Sequence, residues 1–146
     1  MPTIETKAYG NMPVDERQLF EFPSGLYGFE SLTKYALLDA HRKPFYWLQS
    51  LEKVEVAFVL INPYIFRPDF VLEIPDEDYE TIGSPAEDDT LVFAVVTIPA
   101  DGSEITANLQ GPLVLNRKAR LGLQSISLDQ RWQTKHAIVD EMARRD

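Results

Sequence analysis

Residues Thr90–Ile98 read TLVFAVVTI, nine positions that are apolar almost throughout and contain no charge, glycine or proline. A strand with one wet face alternates apolar and polar side chains, so a run this uniformly apolar predicts a central strand covered on both faces. Outward from it, further strand-sized segments recur at near-regular intervals. Thr3–Tyr9, Gln18–Phe22, Lys34–Asp39, Phe45–Leu51, Val54–Ile61 and Phe70–Ile74 precede it, and Ile105–Gln110, Pro112–Asn116 and Leu121–Leu128 follow. The separators suit chain reversal: Gly10-Asn11, Ser50–Lys53, Asn62-Pro63, Pro99–Ser103 with Asp-Gly inside it, and Asn116–Arg120. No helical pattern of crossover length lies between the strands, which excludes a parallel βαβ sheet. The predicted fold is all-β and mainly antiparallel, a small β-barrel-like or sandwich domain over residues 1–128.

Two places carry helical signals. Asp76–Ile82 stops at Gly83, and Ser84-Pro85-Ala86-Glu87 then spells a capping box with proline at its first helical position, so one or two short turns are expected near 76–88. The tail, 129–146, places Trp132, His136, Val139 and Met142/Ala143 on one helical face, and Arg144 and Arg145 suit a helix C-terminus.

With 146 residues, one domain is expected. The chain has no cysteine, which removes disulfides, thiolate metal sites and a cysteine nucleophile. Its N-terminus lacks the basic and apolar regions of a leader, and no run approaches membrane-spanning length, so a cytoplasmic protein that contacts no membrane is expected. Fourteen basic against 23 acidic residues leave a formal charge of −9. That field repels phosphate backbones and argues against direct nucleic-acid binding; it suits a basic protein partner, or solubility alone.

The catalytic inventory is thin. His41 and His136 stand far apart and outside any metal-ligand spacing, and both are expected to be solvated. The acidic set Glu77, Asp78, Glu80, Glu87, Asp88 and Asp89 lacks calcium-loop spacing and falls on turns, where a solvated acidic face is the ordinary outcome. No catalytic residue, metal or cofactor is expected. Two rivals stay open at this point: an Asp/Glu-dependent hydrolase of a sugar or peptide, and a β-barrel nucleic-acid module. The first needs two carboxylates in one cleft, the second a basic stripe that the scattered Lys and Arg do not form.

The stretch FPSGLYGFE, Phe22–Glu30, has glycines but no following Lys-Ser/Thr, so it is no phosphate loop. It predicts a structural corner in which Pro23, Gly25 and Gly28 turn the chain while Phe22, Leu26 and Phe29 enter the core. Phe45 and Trp47 on one strand face are likewise expected in the core rather than on a stacking platform.

Taken in order, FPSGLYGFE, Phe45–Ser50 (FYWLQS), Ile61-Asn62-Pro63 through Pro68-Asp69-Phe70, Val96–Pro99 (VTIP) and Thr106–Asn116 (TANLQGPLVLN) resemble the FliW family of flagellar assembly factors, over about Ile4 to Leu128. The resemblance implies a bacterial cytoplasmic β-barrel-like protein that is not an enzyme and is monomeric when free. It implies two partners, flagellin and the RNA-binding translational repressor CsrA, exchanged so that free protein sequesters CsrA and relieves repression of flagellin translation. Physical reasoning supplies the candidate interface. Asn62–Phe70 (NPYIFRPDF) is more apolar than a loop requires, with Phe66 and Phe70 as anchors and Tyr64, Ile65 and Arg67 as exposed contacts. Asn108 is a second candidate, and the acidic set Glu77, Asp78, Glu80 and Glu87–Asp89 a third, for steering.

Overall fold

The TLVFAVVTI run folds as the predicted strand, and its ladders run along both edges. In the computed structural model, which describes residues 1–144, the chain forms β1 (Thr3–Thr6), β2 (Gly10–Pro13), β3 (Leu19–Glu21), β4 (Lys34–Asp39), β5 (Tyr46–Ser50) and β6 (Ala57–Ile61). There follow α1 (Asp76–Thr81), β7 (Thr90–Thr97), β8 (Thr106–Asn116), β9 (Leu121–Gln124), β10 (His136–Ala137) and α2 (Ile138–Ala143). The strand order β8-β7-β6-β5-β4-β3-β9 returns to β8 through a β8–β9 pairing, closing a seven-stranded barrel. Neighbours are antiparallel except β3 and β9, which meet in parallel at Glu21 and Leu121. Closure removes the open edges that would otherwise recruit other chains. β1 and β2 form a separate hairpin, and β10 adds to β8 at Thr106-Ala107.

Both faces of the sheet are covered. Phe20, Tyr35, Leu48, Leu60, Phe93, Leu113 and Leu115, drawn from β3 to β8, fill the barrel together with Phe22 and Leu26 from the corner. At Gly122 in β9 a Cβ would come within 2.6 Å of the Phe22 ring, so the absent side chain makes room for that ring. Outside, the hairpin covers Val14, Ala36, Leu38 and Trp47, while the 62–74 segment and the tail cover Ile61, Ala94, Val96, Ala107 and Leu109. At the start of β5, Tyr46 turns inward against Phe93 while Trp47 and the preceding Phe45 pack outside, so alternation along the chain places these aromatics in different clusters.

Several local readings are corrected in the folded chain. The first turn falls at residues 7–9, where the Thr6 hydroxyl donates to Gly10 O and accepts from Tyr9 N, and Gly10-Asn11 opens β2. The two predicted strands 105–110 and 112–116 are one strand, because a bulge lets four residues of β8, 109–112, oppose Ala94 alone. Phe70–Ile74 joins no ladder. Ser84 caps nothing: it adopts φ +46, and a single 3-10 turn at Glu87–Asp89 follows Ala86 without a side-chain cap. The tail helix is confined to Ile138–Ala143, after β10; the expectation for Arg145 lies outside the described residues. Phe29 sits on the rim at 38% exposure, its ring edge-on to Phe58, instead of entering the core.

Inside the barrel the Tyr35 hydroxyl is buried with no hydrogen-bond partner among the described residues. Burial, with a smaller contribution from Glu52, pushes its pKa up to about 12. An unmet buried hydroxyl costs roughly 1–3 kcal/mol. Tyr35→Phe is therefore expected to leave stability unchanged or raise it by up to about 2 kcal/mol in urea unfolding. A loss above ~1 kcal/mol would mean that the hydroxyl is bonded.

Candidate functional site

The segment after β6 leaves the barrel wall through a side-chain cap. Asn62 Oδ1 accepts from Tyr64 N at 3.0 Å, and Pro63 opens a 3-10 turn at Pro63–Ile65. Phe66 and Phe70 are buried and anchor the loop, as expected for the largest apolar side chains of an over-apolar segment. That leaves Tyr64 40% exposed, its ring edge-on to Phe70 with centroids 5.5 Å apart, and Ile65 half-buried.

Beyond Tyr64 a groove of about 740 Å³ opens between this loop and the α1 region. Tyr46, Tyr64, Tyr79, Val71, Leu72 and Glu87 line it. Burial raises the hydroxyl pKa of Tyr64 and of Tyr79, and Glu87 adds a smaller negative field at Tyr64. No Lys or Arg borders the groove among the described residues.

The acidic set divides. Glu77, Glu80, Glu87 and Asp88 are exposed, with no side-chain hydrogen bond or ion pair among the described residues. Asp78 is occupied, accepting from Ser125 Oγ at 2.6 Å. Asp89 is occupied too, paired with Arg117 at 3.0 Å and Lys118 at 3.7 Å, and Arg117 with Lys118 holds its carboxyl below the usual range.

Arg67 is also fully engaged. Its Nε and Nη2 donate to the two Asp69 carboxylate oxygens at 2.9 Å each, and Nη1 donates to Glu141 at 2.7 Å. The guanidinium lies 4.8 Å from the Trp132 ring centroid, with Arg131 at 4.4 Å from the same ring. The Arg67 hydrogen bonds hold Asp69 down at about 2. Glu141 in turn meets His136 Nδ1 at 3.0 Å while His136 Nε2 accepts from Gln133 N at 2.8 Å, so Nδ1 carries the proton. His136 is thus buried rather than solvated; His41 stays exposed, its ring 4.2 Å from that of Tyr9. Arg67 works as the bolt between loop and tail, and its side borders a second, polar cavity of about 690 Å³.

Asn108 holds the β8 bulge: its Oδ1 accepts from Gln110 N and Gly111 N at 3.0 and 2.9 Å. Pro23, Gly25 and Gly28 form the corner, with Gly25 N donating to Phe22 O at 2.8 Å. The structure thus brings Tyr64 and Glu87 together in one groove and sets Asn108 and the corner apart from it. Sequence reading passed over Tyr79, Val71 and Trp132 as interface or anchor residues. Tyr79 carried a signal, one aromatic in an acidic helical turn, DEDYET.

Among the described residues no group of three His, Asp or Glu side chains could hold a metal ion, and no helix is long and apolar enough to cross a membrane. What the arrangement offers chemically is a tyrosine-walled groove with an acidic surround, suited to contact with another protein.

A family model described as FliW protein matches residues 3–138. The chain is similar to a flagellar assembly factor FliW of Treponema denticola, 48% identical over 95% of each chain. It also resembles one of Leptospira biflexa, at 41% identity over 96% of this chain and 93% of that one. The crystal structure of a flagellar assembly factor FliW superposes with a TM-score of 0.85 at 31% identity, covering 94% of this chain and 96% of the other.

Proposed function

The chain belongs to the FliW family, and from that premise we propose that it acts as a cytoplasmic flagellar assembly factor that works by binding rather than catalysis. Flagellin and the translational repressor CsrA are its alternative partners. Free protein, a monomer, sequesters CsrA and relieves repression of flagellin translation; unexported flagellin displaces CsrA and restores it. The names of the relatives support assembly over enzymatic work.

The observation that carries the reading is the groove of Tyr64 and Tyr79 with Glu87 in its wall and Glu77, Glu80 and Asp88 exposed on the adjoining α1 and 87–89 turn. Tyrosine gives large contact area at low entropic cost, and exposed carboxylates speed encounter with a basic partner. Arg67, Asp78 and Asp89 contribute by holding the loop, α1 and the 87–89 turn in place, and Ile65 by its position beside Tyr64, while Asn108 holds the β8 bulge away from this surface.

Calorimetric titration of the full chain against CsrA and against flagellin tests this. Tyr64→Ala should weaken binding by roughly tenfold, about 1.4 kcal/mol. Replacing Glu77 and Glu80 with lysine should slow CsrA association chiefly at low salt, since exposed charges are screened beyond ~10 Å at 0.1 M. Absence of binding to both proteins at micromolar concentration sinks the reading.

A further inference from the structure

Phe70–Pro75 runs between the 62–70 loop and α1 without a turn or bend. Its side chains alternate as a strand's do: Phe70 and Ile74 are buried, Val71 is 54% exposed, Leu72 is half-buried and Glu73 exposed. The sequence FVLEI is likewise that of a strand. Yet among the described residues only the Glu73 carbonyl is bonded of the backbone groups from Val71 to Ile74, accepting from Leu128 N at 2.8 Å. The four N–H groups have no partner among the described residues. An open strand edge is a template for pairing with another chain, and natural proteins blunt such edges with proline, charged side chains or a covering element. Within Val71–Ile74 the one such residue is Glu73, whose charge would repel an acidic segment but not a basic one.

In a straight strand successive residues direct their N–H and C=O to opposite edges. With Glu73 turned toward Leu128, Leu72 and Ile74 offer theirs to the other edge. We propose that Val71–Ile74 is a strand-addition site that takes an extended, lysine- or arginine-bearing segment of a protein partner. Main-chain bonds would supply affinity, and the tyrosine groove beside Val71 would take alternate side chains. The charge of the occupant follows from the surroundings. Glu73 lies in the segment, Glu87 in the groove wall, Glu77 and Glu80 on α1, and among the described residues no cation lines the groove. The proposal rests on reading this groove as a protein-binding surface, and it adds the backbone geometry and the charge of what binds.

The test uses amide hydrogen exchange of the full chain, read residue by residue by NMR, with a capped Lys-Val-Lys-Ile-Lys-Val-Lys heptapeptide as probe. In the free protein the Leu72 and Ile74 amides should exchange fast; millimolar peptide should slow them by roughly tenfold or more. The glutamate counterpart should not, nor should a lysine peptide N-methylated at every second residue. Glu73→Lys, an exposed change that leaves the core intact, should weaken the lysine peptide several-fold. No slowing, equal slowing by the glutamate peptide, or slowing that survives N-methylation each overturns the proposal. Because the probe is neither CsrA nor flagellin, binding of those proteins without protection at 72 and 74 overturns strand addition alone. Protection without their binding overturns only the functional reading.

Discussion

Gly25→Val should lower the stability of the protein by about 2–5 kcal/mol, a large fraction of the roughly 5–15 kcal/mol that holds an ordinary domain folded. Two penalties add. Gly25 sits at φ +65, where a side chain costs roughly 1–2 kcal/mol. A Cβ there would also lie 2.6 Å from Phe29 O and 2.7 Å from Glu30 Cα. Both atoms are backbone, so the clash cannot be relieved by a rotamer change, and overpacking of this kind costs roughly 1–3 kcal/mol. Gly28 provides the control. Its φ is +87, but a Cβ would meet nothing within 4 Å, so Gly28→Ala should lose only the strain of about 1–2 kcal/mol. Urea unfolding of the two variants separates the effects; equal losses would refute the clash at Gly25. Damage should spread to the barrel interior, because the same corner inserts Phe22 and Leu26 there.

Trp132→Ala should be comparably severe, at about 3–5 kcal/mol, the usual cost of emptying a buried aromatic site. The indole is 1% exposed, packs on Phe70 with centroids 5.0 Å apart, and is flanked by Arg67 and Arg131. Without it the Arg67–Glu141 ion pair loses its platform, and β10 with α2 should lose exchange protection together. Trp132→Phe should cost much less, because the indole N–H has no hydrogen-bond partner among the described residues and only part of the ring is removed. Denaturant unfolding with exchange across residues 136–143 checks both variants. A loss below ~1 kcal/mol for the alanine variant would place the tail outside the cooperative core.

Some elements were legible at single-residue level. Lys34–Asp39 was read with its final boundaries, and TLVFAVVTI differs from β7 by one residue at its end. In both, alternation or uniform burial is a local property with a period of two residues. The same reasoning failed where side-chain partners or missing strand neighbours overrode the pattern. Gly111 looked like a break between strands, yet the Asn108 amide and the Gln124 side chain stabilise a bulge that carries β8 through it. FVLEI was read as a strand, and its side chains alternate accordingly, but among the described residues no neighbouring strand pairs with it. His136 looked solvated because Glu141 and Gln133, its partners, define a pocket only once the tail docks on Phe66 and Phe70.

The candidate surface was legible in kind and not in composition. Apolar excess in NPYIFRPDF pointed to the loop, but Tyr64 and Arg67 from that one loop ended on opposite duties, the first in a groove and the second in an ion pair to the tail. Tyr79 and Val71 joined Tyr64 from separate segments.

Hydrophobic periodicity and turn chemistry, both short-range, were sufficient for the all-β class and most of the barrel strands, and the resemblance of motifs in register pointed to the family. Barrel closure, the Trp132 clamp, the groove and the unpaired edge at Val71–Ile74 belong to the folded chain alone. Each depends on which backbone edge or side chain finds a partner far away in sequence, and that pairing is settled by packing in three dimensions.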